Sequence, residues 1–193
     1  PVLSVSEVED AIPLAKALVE GGLNVIEVTL RTPNALKVIE EMSKVKDSIV
    51  GVGTLLNKQD VENAMKVGAK FGVSPGITED LLDACEENGL PLLGGVCSIS
   101  EIMKMLDRGY RLFKFFPAEA SGGADALKAI GAPIPHALFC PTGGVSPKNI
   151  EDYMALDNVV CVGGSWMATP EMIRYKKWSE IFNQAHYVSK LGL

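Results

Sequence analysis

The chain has 193 residues and a net charge of −6, with a pI near 5.0. That length fits one domain, residues 1–193, with a sizeable core. The acidic balance argues against a nucleic-acid partner, which would need clustered Lys and Arg, and no stretch reads as a membrane span or secretion signal, so a cytoplasmic protein is expected.

In chain order, β-rich runs alternate with amphipathic stretches. "PVLSV" precedes the helical "VEDAIPLAKALVEGG", and "NVIEVTL" precedes "PNALKVIEEMSKV". "SIVGVG" is followed by "NKQDVENAMKVGA", "KFGVS" by "TEDLLDACEENG", and "PLLGGV" by "SISEIMKMLDRG". In the last of these, Ser98 and Glu101 have capping-box spacing. "RLFKFF", "HALFCPTGG" and "NVVCVGG" complete eight strand candidates, and the tail "MIRYKKWSEIFNQAHYVSKLGL" reads as a closing helix. Eight strands alternating with helices imply parallel crossovers and a (β/α)₈ TIM barrel. An open doubly wound sheet is disfavoured, because "GVGTLL" lacks the third glycine of a dinucleotide fingerprint.

Alternation along a strand divides its side chains between two faces. In "NVIEVTLRT" the apolar face carries Ile26, Val28 and Leu30, and the other carries Glu27, Thr29 and Arg31. Helices cover the outside of a parallel barrel, so the polar set is expected to point inward or to its mouth. In "RLFKFFP" the same rule sends Phe113 and Phe115 outward and Leu112, Lys114 and Phe116 inward. An ammonium among aromatic side chains must find a partner, reach water, or give up its proton and become a nucleophile. Periodicity leaves a structural Lys114–Glu27 ion pair as open as a catalytic pair.

Two glycine-rich corners follow the seventh and eighth runs, "PTGGVSPKN" and "GGSWMATPEM". Gly143, Gly144, Gly163 and Gly164 allow close backbone approach, and a helix beginning near Ser146–Pro147 would add its positive end. In barrels the loops at these two positions frequently bind phosphate. Tight strand-to-helix turns are the alternative, but the joint placement of both motifs where that site is built favours phosphate binding. The separated Cys85, Cys97, Cys140 and Cys161 read as reduced core or near-core thiols, and with only His136 and His186 present no histidine-rich metal site is expected.

Six motifs then agree in order and spacing: "EVTLRT", "GVGTLLN", "SPGITEDLL", "FKFFPAEASGG", "CPTGGVSPKN" and "VGGSW". They resemble the bacterial 2-keto-3-deoxy-6-phosphogluconate (KDPG) aldolase and 4-hydroxy-2-oxoglutarate (KHG) aldolase family. The resemblance implies a class I aldolase of Entner–Doudoroff carbohydrate metabolism, a lyase in a (β/α)₈ barrel that is usually a homotrimer and needs no cofactor or metal. It implies Lys114 as the Schiff-base residue and Glu27 as the general acid/base. Arg31 and Thr54 match the positions that hold the pyruvyl carboxylate. Pro75 and Phe116 match pocket-lining positions, and Thr142 lies beside the pyruvyl pocket. Gly143, Gly144, Gly164 and Ser165 match the phosphate-binding positions. The family has an amino-terminal helix ahead of Pro1, which is expected to be missing here, and "LSVSE" carries no chemistry. Rival readings are cleavage of the C4 epimer (the phosphogalactonate), a phosphosugar isomerase or epimerase, and a non-catalytic phosphate-ligand-binding barrel.

Overall fold

The computed structural model describes residues 1–191. Its parallel strands alternate with helices in the order expected of an α/β chain. The strands are β1 (Val2–Leu3), β2 (Val25–Thr29), β3 (Ile49–Gly53), β4 (Gly72–Val73), β5 (Leu92–Leu93), β6 (Gly95–Val96), β7 (Leu112–Phe115) and β8 (Leu138–Pro141). The helices are α1 (Ala11–Glu20), α2 (Ala35–Met42), α3 (Lys58–Lys66), α4 (Glu79–Glu87), α5 (Ile99–Asp107), α6 (Gly123–Gly131), α7 (Ile150–Met154), α8 (Pro170–Arg174) and α9 (Trp178–Val188). One sheet has the order β1-β2-β3-β4-β5 and the other β6-β7-β8.

Two of the eight expected runs differ from plain strands. "PLLGGV" is divided at Gly94 into β5 and β6, where a side chain on Gly94 would meet Met105 and one on Gly95 would overlap the Pro75 backbone. "NVVCVGG" contributes only two parallel bridges, Phe139 with Val159 and Thr142 with Gly163. At Gly95 the ladder passes close to the Pro75 backbone, an approach that glycine permits and a branched residue would not.

The residues gather into two compact units. The first comprises residues 1–73, 79–92 and the carboxy-terminal segment from Ser165. Its core is built from Ile26, Val28, Val50 and Val52 on β2 and β3 with Leu14, Leu18, Val38 and Ile39 on α1 and α2, all buried. At the end of α1 a Cβ on Gly21 would overlap that of Ala185, so the missing side chain lets α1 and α9 pack closely. The expected closing helix is interrupted: α8 ends at Arg174, Lys176 has φ 52°, and α9 restarts at Trp178. The last two residues of that tail, 192 and 193, lie outside the described residues.

The second unit comprises residues 74–78 and 93–164. Phe139 anchors its core, with its ring centroid 5.7 Å from that of Phe113 and 6.3 Å from that of Phe115, at tilted and edge-on angles that aromatic quadrupoles favour. Ser98 caps α5 as its spacing predicts: Glu101 N–H donates to Ser98 Oγ, and Ser98 N–H donates back to Glu101 Oε2. Among the described residues no helix is long and apolar enough to cross a membrane.

Candidate active site

In the first unit, parallel register sets Glu27 beside Gly51 and Thr29 beside Gly53. Glu27 is 8 % exposed, and a side chain on Gly53 would collide with Glu27 Oε1 and Cγ. The carboxylate therefore lies across the neighbouring strand in space that only glycine leaves open. The ladder continues with Leu30 N–H donating to Gly53 O at 2.9 Å, which carries Thr54 and Arg31 outward from the ends of the two strands. Thr54 takes φ 65°, a left-handed conformation that is uncommon for a β-branched residue. Arg31 is exposed. Arg31 and Thr54 thus lie just beyond the ends of β2 and β3, in the unit that carries Glu27.

Thr29, on the same face as Glu27, is committed to structure. Its hydroxyl donates to Leu3 O at 2.9 Å and lies 2.8 Å from Ser4 Oγ. Thr32 Oγ1 donates to Val5 O at 2.6 Å, and Asn34 Nδ2 donates to Ser6 O at 2.8 Å. "LSVSE" is the segment these groups hold, which gives it a structural role.

In the second unit, Lys114 on β7 is 4 % exposed, and its Nζ lies 5.0 Å from the centroid of the Phe116 ring. A ring face stabilises an ammonium by its quadrupole where water is excluded. Phe113 and Phe115 are fully buried on the opposite face, as alternation predicts, but Leu112 is 39 % exposed at the strand's first residue instead of pointing inward. Lys114 pairs in register with Cys140 of β8 and Gly95 of β6, and a side chain on Gly95 would overlap Pro75. Pro75, Lys114 and Phe116 are thereby gathered with Thr142, two residues beyond Cys140 on the same face.

Thr142 is buried, and a Cβ on Gly163 would collide with its Oγ1. The Thr142–Gly163 bridge sets the two glycine-rich corners side by side. Gly143 and Gly144 have φ 98° and 85°, values open to glycine. Among the described residues, the N–H groups of Gly143, Gly144 and Gly164 donate to no protein acceptor. Ser165 is exposed at the start of the carboxy-terminal segment. A capped turn at Ser146–Pro147 leads into α7 at Ile150, close to the expected start: Ser146 O accepts from Ile150 N–H at 3.0 Å, Ser146 Oγ accepts from Lys148 N–H at 3.3 Å, and Ser146 N–H donates to Asn149 Oδ1 at 2.8 Å.

Some features escape sequence patterning. Ser74 is fully buried, and its Oγ accepts weakly from Gly95 N–H at 3.4 Å. Cys97 and Cys161 are exposed, whereas Cys85 and Cys140 are buried as expected. A hydrogen bond with the Cys140 side chain pulls the Cys161 thiol down to about 7, while burial pushes Cys85 up to about 11. A cavity of about 1160 Å³ is lined by Glu119, Gly123, Lys128, Asn149 and Tyr153 among others, and by none of the residues nominated from the sequence. At its edge Glu119 joins the glycine corner through its N–H, which donates to Gly143 O at 3.1 Å, and joins Tyr153 through its side chain.

Comparison with known proteins defines the class first: the chain is an aldolase, and so a lyase. A family model described as KDPG and KHG aldolase matches residues 1–184, and the chain belongs to that family. It is 51 % identical to a 2-dehydro-3-deoxy-phosphogluconate aldolase of Pseudoalteromonas atlantica over 94 % of this chain and 85 % of the relative. A KHG/KDPG aldolase of Escherichia coli is 48 % identical over the same shares. The crystal structure of a KDPG aldolase from Legionella pneumophila, with pyruvate captured as a covalent carbinolamine, superposes with a TM-score of 0.95 at 46 % identity over 98 % of this chain and 93 % of that one.

Proposed function

We propose that this single-domain chain cleaves 2-keto-3-deoxy-6-phosphogluconate to pyruvate and glyceraldehyde 3-phosphate through a Schiff base on Lys114. It also cleaves 4-hydroxy-2-oxoglutarate to pyruvate and glyoxylate, as the name of the Escherichia coli relative supports. The observation that carries the reading is Lys114 itself: a 4 % exposed amine beside the Phe116 ring and next in register to the strand that leads into Thr142 and the glycine corners.

The Lys114 amine attacks the C2 ketone, and loss of water leaves an iminium ion that withdraws electrons from the C3–C4 bond. Glu27 accepts the C4 hydroxyl proton as that bond breaks, releasing the aldehyde and leaving an enamine. The enamine is reprotonated at C3, and water hydrolyses the iminium to free pyruvate and the amine. Arg31 and Thr54 hold the pyruvyl carboxylate, for which a guanidinium offers a fixed two-pronged donor. Pro75, Phe116 and Thr142 shape the pyruvyl end. The amides of Gly143, Gly144 and Gly164 with Ser165 receive the distal phosphate, whose remote binding aligns C3 and C4. The protein works as a homotrimer in the cytoplasm, in keeping with the family resemblance.

Borohydride reduction in the presence of pyruvate, followed by peptide mass spectrometry, tests the core of this reading. A reduced pyruvyl adduct on Lys114 is the expected result. An adduct on another lysine, or none from folded protein, overturns it. Light scattering of the purified protein checks the trimer, and a monomer mass sinks that part alone.

A further inference from the structure

The glycine corner after β8 has its carbonyls engaged from one side. Ala118 N–H donates to Thr142 O at 2.8 Å, Glu119 N–H donates to Gly143 O at 3.1 Å, and Asn149 Nδ2 donates to Gly144 O at 3.1 Å. With three successive carbonyls held, the intervening peptide planes are fixed and their N–H groups turn the other way, as in an anion-binding nest. Glu119 does more than supply an amide. A Cβ on Gly144 would overlap its Cβ and Cγ, but would lie 3.9 Å from its Cδ. The side chain thus lies flat on Gly144 and then leads its carboxylate away.

That carboxylate ends on Tyr153, whose hydroxyl donates to Glu119 Oε1. Gly123 lies against the pair: a Cβ there would sit at ordinary contact distance, 3.4 Å from Glu119 Oε1 and 3.6 Å from Tyr153 Oη. Tyr153 is 1 % exposed, so its ring is held by the core while its hydroxyl serves the carboxylate. Burial and the neighbouring carboxylate both raise the pKa of that hydroxyl, which keeps it a donor across the working pH range. A negative charge beside amides that receive phosphate would repel the ligand unless it were kept turned aside.

We propose that Glu119 and Tyr153 form a positioning pair that sets the Gly143–Gly144 amides for the substrate's phosphate and holds the Glu119 charge away from it. The pair thereby determines preference for phosphorylated over unphosphorylated 2-keto acids. This rests on the aldolase reading above. Neither residue touches the reacting carbons, so the signature is selective: Tyr153→Phe frees the carboxylate to swing toward the phosphate while the pyruvyl end is left unchanged.

The test compares cleavage of 2-keto-3-deoxy-6-phosphogluconate with that of unphosphorylated 4-hydroxy-2-oxoglutarate, using inorganic phosphate as competitor. In Tyr153→Phe, KM for the phosphorylated substrate rises about tenfold with kcat little moved, and the unphosphorylated substrate is cleaved as before. Adding Glu119→Gln to that variant recovers most of the lost affinity, because the freed group is then neutral. Equal loss on both substrates, or no recovery in the double variant, reduces the pair to ordinary packing and overturns the proposal. If unaltered protein cleaves both substrates and phosphate competes, yet Tyr153→Phe behaves identically, the pair alone is wrong. If unaltered protein cleaves neither, or phosphate fails to compete, the aldolase or phosphate-loop reading fails and takes this proposal with it.

Discussion

The strand pairs β2–β3 and β7–β8 solve one problem with opposite charges. Each sets an ionisable side chain on a buried face. On β2 the charge is a carboxylate, Glu27, lying over Gly53 and followed on its face by a hydroxyl, Thr29, that is tied to Leu3 and Ser4. On β7 it is an ammonium, Lys114, set beside the Phe116 ring with three further phenyl rings packed behind the strand. The acid lies over the space left by Gly53, and the base lies beside an aromatic face that suits a cation out of water. The same alternation rule therefore produces two chemically different environments, and the residues beside each strand decide which.

The largest effect separates the two regions outright. Lys114→Ala should remove borohydride trapping and cut cleavage by roughly four orders of magnitude or more, as loss of a covalent nucleophile does, while thermal unfolding stays cooperative. Retained turnover in that variant would end the nucleophile assignment.

Next comes the glycine beneath the acid. Gly53→Ala should displace Glu27 and lower kcat by about a hundredfold or more, the scale of a lost general base, with a stability cost of about 1–3 kcal/mol from overpacking. A variant with unchanged kcat and a lowered melting temperature would show that the Glu27 carboxylate can move without consequence. The matching change on the other side, Gly163→Ala, crowds Thr142 instead. With Thr142 in the shaping role proposed for it, about a tenfold fall in kcat/KM is expected, of the order of one lost neutral hydrogen bond. An effect as large as that of Gly53→Ala would promote Thr142 to the reacting machinery.

The smallest effect concerns the exposed thiol. Because the hydrogen bond with Cys140 lowers Cys161 to about 7, its thiolate is populated above that pH, and its alkylation rate should climb between about pH 6 and 8 and then level off. Cys85, at about 11, should remain inert over that range. Mapping alkylated peptides across the pH series checks both, and equal labelling of the two thiols would contradict the assignment.

Alternation in "NVIEVTLRT" and "RLFKFFP" correctly placed Ile26, Val28, Phe113 and Phe115 in the core and Glu27 and Lys114 on the opposite faces, because period-two geometry is local and needs no knowledge of partners. The capping box of α5 was legible for the same reason: its hydrogen bonds join residues three apart. The start near Ser146–Pro147 was legible for the same local reason as the α5 cap: Ser146 N–H donates to Asn149 Oδ1 and Ile150 N–H donates to Ser146 O, bonds that join residues three and four apart. Strand ends were less legible. Leu112 is exposed because alternation cannot say where burial begins along a strand.

By itself, the order of residues determined the alternating parallel α/β pattern, the family through six spaced motifs, and the side chains proposed to carry chemistry. Tertiary structure decided what those side chains meet: that Gly53 and Gly163 are empty so that Glu27 and Thr142 can lie over them, that the two glycine corners adjoin through the Thr142–Gly163 bridge, and that Glu119 reaches Tyr153 across 34 residues of chain. The physical reason is range. Periodicity, caps and turns act within a few residues, whereas the contacts that shape a site join segments whose approach depends on the packing of the rest of their unit.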